Sequence, residues 1–115
     1  MKRYIRSDEE IYDSEPGFLF EFGNHAIFYK HSGSNLTDNI VRAIINKVCD
    51  YRNVSDTIRE TALQDRPTLN DFRRRILKAT LTKVDTGKVI YYSIKGKYFT
   101  MNFPEEDFAR EVIVF

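Results

Sequence analysis

Apolar positions change their period along the chain, and each change marks a different element. Two aromatic-rich runs, Phe18–Phe22 and His25–Lys30, flank Gly23-Asn24. A two-residue link with glycine first suits a tight β-hairpin, because glycine takes positive φ without strain. That turn fixes a register in which Phe22 opposes His25, Phe20 opposes Ile27 and Phe18 opposes Tyr29. Cross-strand partners share a face. Phe18, Phe20, Phe22, His25, Ile27 and Tyr29 therefore form one face, which needs a core to cover it. Leu19, Glu21, Ala26, Phe28 and Lys30 form the other.

After a loop at His31–Asn35 the period becomes helical. Ile40, Ile44, Val48 and Tyr51 recur at helix spacing, with Val41 and Ile45 widening the stripe, and predict a helix over 36–51 capped by Asn35 or Thr37. A second helix over 55–64, started by Asn53 or Ser55, presents Ile58, Ala62 and Leu63, and Asp65-Arg66-Pro67 reads as its breaker. Thr68-Leu69-Asn70-Asp71 has the form of a capping box, with Asp in place of Glu. It opens a third helix, 69–79, with Leu69, Phe72 and Ile76 inward and Asp71, Arg74, Arg75 and Lys78 outward.

The last third alternates with period two. Strands at 80–84 and 89–94 flank Asp85-Thr86-Gly87-Lys88, and Lys95-Gly96 reads as a second tight turn pairing Ile94 with Lys97. Ile90, Tyr92, Ile94, Phe99, Met101 and Phe103 then share a core face, while Val89, Tyr91, Ser93, Tyr98, Thr100 and Asn102 share a mostly polar one. An acidic turn or short helix follows over 105–110. The β-prone run Val112–Phe115 must pair or pack to avoid inviting aggregation. The first sixteen residues carry no clear period beyond a short strand or turn around Tyr4–Ile11, and they end in the turn signal Pro16-Gly17. This order gives a single α+β domain over 1–115: an N-terminal β-hairpin, three helices, then antiparallel strands.

Composition narrows the class. Hydrophobic residues make up 42% and aromatics 14%, all Phe and Tyr, which sets the chain apart from disordered sequences. The single cysteine, Cys49, forbids an intrachain disulfide and favours a reducing compartment. The basic start Met1–Arg6 runs into acidic residues rather than an apolar stretch, and no segment approaches the ~18 apolar residues that span a bilayer. A cytoplasmic protein with no membrane partner is the expectation.

Candidate chemistry is sparse. His25 and His31 would stand ~20 Å apart on a continuing strand, too far for one metal ion. Cys49 lies near a helix C-terminus, where the dipole opposes a thiolate, and on the apolar side. Neither a nucleophile elbow nor a glycine-rich phosphate cradle is present. The sequence therefore predicts a non-enzymatic protein with no catalytic residue, no metal ligand and no cofactor.

Charge is nearly balanced, at a formal +1, but unevenly spread. Residues 71–97 carry eight Lys and Arg against two Asp, whereas 1–24 and 98–115 are net acidic. Charge asymmetry of this kind hints at an anionic partner. Helix, helix, helix, hairpin is the order of a winged helix, here spanning 36–94, with 69–79 as recognition helix and Asp85–Lys88 as wing tip. Nucleic-acid binding would then use Asn70, Arg73, Arg74, Arg75, Lys78, Lys83, Lys88, Lys95 and Lys97. Tyr91 and Tyr98 form an aromatic contact face suited to stacked bases or to a protein hot spot. The alternative is a small protein-binding regulator or inhibitor of the phage or mobile-element kind, blocking a host nucleic-acid enzyme. In that reading the acidic runs 8–15 and 105–111 imitate nucleic acid.

Overall fold

The computed structural model describes residues 2–7, 10–88, 90–100 and 111–115, with side chains from Asp13 onward. The elements run β1 (Lys2–Ser7), β2 (Glu10–Phe22), β3 (His25–Lys30), α1 (Asp38–Arg52), α2 (Asp56–Gln64), α3 (Arg66–Arg75), β4 (Leu77–Asp85), β5 (Ile90–Ile94), β6 (Lys97–Phe99) and β7 (Glu111–Val114). The strands form one sheet in the order β6-β5-β4-β2-β3-β7, with β1 added on β2. All pairs are antiparallel except β3 with β7, a parallel pair that departs from the expected antiparallel sheet. The sheet curls until its edges meet: the Val112 amide donates to the Thr100 carbonyl at 2.8 Å, and Thr100 bridges Glu111.

The curl follows from a hairpin that is apolar on both faces. Its register is the one the Gly23-Asn24 turn implies, Phe22 opposite His25 and Phe18 opposite Tyr29. Phe18, Phe20, Phe22 and Ile27 pack under α1 and α3, against Ile40, Ile44, Val48 and Leu69. On the reverse face Leu19, Ala26 and Phe28 are equally buried. They can leave water only if the sheet wraps round on them, which brings Leu81, Tyr92, Ile94, Phe99 and Val112 into a second core. The terminal run supplies its last wall: β7 lies beside β3, and the Lys30 amide donates to the Phe115 carbonyl at 2.8 Å.

Pro16-Gly17 is not a turn but the middle of β2. The N-terminal half of that strand pairs with β1 and its C-terminal half with β3 along one edge, while β4 runs along the other from Ile11–Asp85 to Leu19–Leu77. Pro16 falls in the gap between β1 and β3, where its missing N–H breaks no ladder bond. Gly17 is required by packing. A Cβ there would stand 2.6 Å from the Phe28 ring and closer still to the Tyr29 carbonyl.

Thr37 caps α1 and Ser55 caps α2, each accepting a backbone N–H three residues on. The third helix occupies 66–75, not 69–79. Asp65, read as part of a breaker, is its N-cap, accepting the Thr68 amide at 3.1 Å, and Pro67 sits in the first turn, where proline is tolerated. The helix stops at Arg75 because the next residues pair with β2: Leu77 with Leu19 and Lys78 with Phe18. Strand β4 therefore begins three residues earlier than its local pattern suggests. At the second tight turn Lys95 and Gly96 both take positive φ, and Ile94 pairs with Lys97. Ile90, expected in the core, is 51% exposed at the end of β5, where it pairs with Asp85. Val89, Met101, Asn102, Phe103 and the acidic segment 105–110 lie outside the described residues, as do Asp8 and Glu9.

Candidate functional site

The cations singled out in the sequence fall into separate environments. Arg73 extends from α3 to the Leu36 carbonyl and to Asp38, 2.5 Å away in the first turn of α1. Arg66 reaches the same carboxylate at 2.7 Å. Hydrogen bonds from Arg66 and then Arg73 hold the Asp38 carboxyl well below the usual carboxylate range. This cluster fastens α3 to α1. Arg74 and Arg75 share Asp71 at 3.3 and 3.8 Å, and the Arg75 guanidinium lies 5.0 Å from the centroid of the Phe20 ring and 5.5 Å from that of Phe72. Asn70 is exposed on the same helix.

The remaining lysines do not join that face. Lys78 belongs to β4 rather than to the helix, and its ammonium donates to the Gly33 carbonyl at 3.4 Å. Lys97 pairs with Glu21 at 3.0 Å. Lys88 lies in the turn between β4 and β5, roughly 26 Å of strand away from the end of α3. Lys95 sits at the opposite end of β5, in the turn to β6. Lys83 faces the inside of the curled sheet and lines a cavity of about 330 Å³. The structure thus brings Asn70, Arg74 and Arg75 together on one helix and distributes Lys83, Lys88, Lys95 and Lys97 elsewhere.

Tyr91 and Tyr98 do meet. Their rings are 5.5 Å apart in a T-shaped arrangement, on the face of the sheet turned away from the inner core. Pairing aligns Ser14, Thr82, Ser93 and Tyr98 in one row across β2, β4, β5 and β6. Within it Ser14 and Thr82 share a hydroxyl–hydroxyl hydrogen bond of 3.2 Å. Thr80 is exposed on the same face. Tyr98 is 53% exposed. The result is a hydroxyl-rich strip around an aromatic pair, with Lys78 the charged residue on its β4 side.

Two groupings escaped the sequence reading. Tyr51 bonds the His25 ring at 2.7 Å, and the other nitrogen of that ring lies 3.6 Å from Glu111, joining the end of α1 to the hairpin and to β7. The cavity beside Lys83 adds Asp13, Glu15, Lys30 and Tyr92. Both depend on strand pairings far apart in sequence, so no local pattern announces them. Cys49 is buried in the helix-side core, and no cluster of metal-ligating side chains exists among the described residues. No helix among them is long and apolar enough to cross a membrane. Comparison with protein-family models, with curated proteins and with solved structures finds no match to this chain.

Proposed function

We propose that the chain is a small non-enzymatic binding protein that engages a protein partner through the outer face of β4–β6, centred on Tyr91 and Tyr98. It acts as a regulator or inhibitor by covering its partner's surface. The observation that carries this reading is the half-exposed Tyr98 ring held edge-on to Tyr91 within a row of Ser and Thr hydroxyls. Tyrosines placed this way offer large contact area at low entropic loss, with a hydroxyl for hydrogen bonding, and they are enriched in binding hot spots.

A nucleic-acid reading draws on the cations of 73–97. Arg73, Arg74, Arg75 and Lys97 each have an acidic partner, so less positive charge is offered to phosphates than the sequence count suggests. A winged-helix-like use of 36–94 needs Asp85–Lys88 as a free wing. Here β4 runs between β2 and β5 within the sheet.

The test compares two variants with the unmodified protein: Tyr91→Ala/Tyr98→Ala, and Arg74→Ala/Arg75→Ala/Lys78→Ala. Affinity capture from a native lysate should recover a stoichiometric protein partner with the unmodified chain and the cation variant but not with the tyrosine variant. Mobility-shift assays at low salt run in parallel. Tight duplex or single-strand binding that is abolished by the cation variant and falls steeply with salt would replace this reading with the nucleic-acid one.

A further inference from the structure

Strand β4 is covered along only part of its length. It pairs with β2 from Leu77 to Asp85, but with β5 from Leu81 to Asp85 alone. Leu77–Thr80 therefore runs past the end of β5 as an open edge about 13 Å long. The neighbouring strand fixes where its backbone groups point. The His31 amide donates to the Pro16 carbonyl on the β3 side of β2. Backbone groups alternate sides along a strand, so Gly17 and Leu19 turn theirs to β4, where Ala79 and Leu77 answer them. Lys78 and Thr80 then point their N–H and C=O groups away from β2. Among the described residues, no backbone hydrogen bond meets them there.

The side chains along this edge alternate as well. Leu77 opposes Leu19 and shares its inner face, as does Ala79, which packs on the inner core. Leu77 is nevertheless 47% exposed, since β5 ends before reaching it. Lys78 opposes Phe18 on the helix side, and Thr80 is exposed on the same face. The surroundings are cationic. Arg74 and Arg75 end α3 just before the edge, Lys78 lies in it, and Lys95 follows Ile94, the residue that opposes Leu81. Asp71 serves both arginines, and the Lys78 ammonium donates to a neutral carbonyl, that of Gly33. An unpaired edge is a template for a further strand. A second copy is a poor occupant, because two-fold pairing of this edge with itself gathers both sets of cations at one seam, where like charges repel.

We propose that the edge at Leu77–Thr80 takes up an extended segment of the protein partner, one that alternates apolar and acidic residues. Its apolar side chains cover Leu77 from the inner side, and its carboxylates meet the cations of Lys78 and its neighbours. This rests on the reading of the chain as a protein-binding module and adds the conformation and chemistry of the bound segment.

The test is titration of the full chain, labelled with nitrogen-15, with an end-blocked hexapeptide of alternating valine and glutamate. Saturable amide shifts at residues 77–81 and 95 are expected. Two N-methylated forms of the peptide, one methylated at every valine and one at every glutamate, block opposite edges of its strand. One should bind within about twofold of the parent and the other about tenfold or more weaker. Lysine in place of glutamate in the peptide should cost a similar factor. Thr80→Pro removes an N–H that no strand uses and should abolish the shifts. If that variant does not fold, the two methylated forms decide on the unmodified chain. Absence of saturable shifts would overturn the proposal. So would equal affinity for the two methylated forms, or a dimer of the unmodified chain that Thr80→Pro dissociates. A peptide that fails to bind while partner capture still depends on Tyr91 and Tyr98 sinks the edge alone. A peptide that binds while no partner is captured leaves the edge standing and sinks the tyrosine reading.

Discussion

Replacing Gly17 by alanine tests whether β2 truly runs through Pro16-Gly17. Gly17 is buried, and its φ is not in the left-handed region, so the backbone would accept alanine. Space would not: the added methyl would stand 2.6 Å from two ring carbons of Phe28 and nearer to the Tyr29 carbonyl. Phe28 is fully buried in the inner core and cannot swing aside into water. Overpacking of this kind costs about 1–3 kcal/mol, and the stiffer unfolded chain returns about 0.4–1 kcal/mol. The net loss is about 1–2 kcal/mol. Set against a total stability of roughly 6–17 kcal/mol for a chain of 115 residues, that remains measurable without unfolding the protein. Urea titrations of Gly17→Ala should show a lower midpoint at unchanged slope, with Tm down by about 4–10 °C. Adding Phe28→Leu removes the ring contact but not the carbonyl one. The double variant should therefore be less destabilised than the sum of the singles, by ~1 kcal/mol. Unchanged or raised stability for Gly17→Ala would mean that no ring crosses this position, as in a surface turn, and the two-faced burial of the hairpin would fail with it.

Asp38 makes the α1–α3 connection pH-sensitive. Its carboxyl is held low by Arg66 and then Arg73, so its contribution is complete above the unfolded value of about 3.9 and is lost as pH falls through the lower folded value. Urea midpoints should decline as pH drops below about 4, and Asp38→Asn should lower stability at neutral pH and flatten that acid decline; an identical acid limb in the variant counts against the cluster. The Cys49 thiol, buried in the helix-side core, should react with a disulfide reagent only at the rate of opening, so immediate labelling in native buffer would contradict its placement. Tyr98→Ala should alter folding stability by less than about 0.5 kcal/mol, because the ring is half in water; a loss of several kcal/mol would make it a core residue rather than a contact.

Local features of the fold were readable in the sequence. The hairpin register followed from Gly23-Asn24, the α1 and α2 caps from Thr37 and Ser55, and the Ile94–Lys97 pairing from Lys95-Gly96, because each is set by backbone conformations within a few residues. The long β2 was not. Its first half is polar, and it is held by β1 and β4 rather than by its own propensity. The end of α3 was missed for the same reason, since pairing of Leu77 and Lys78 with β2 outweighs helical periodicity. Adjacency in sequence also overstated the basic patch. The acid that neutralises Arg73 lies 35 residues upstream, and the one that meets Lys97 lies 76 residues upstream. The Tyr91–Tyr98 pair was legible because period-two alternation determines which side chains share a face.

The most direct test of the proposed function is site-specific photocrosslinking in a native lysate. A photoreactive phenylalanine derivative replaces Tyr98 in one preparation and Ile58 in another; Ile58 is 63% exposed and belongs to α2 rather than to the sheet. The account predicts one discrete protein adduct from position 98 and none from position 58, with the adduct suppressed by excess unmodified chain. Equal crosslinking from both positions, or adducts to nucleic acid alone, would contradict it.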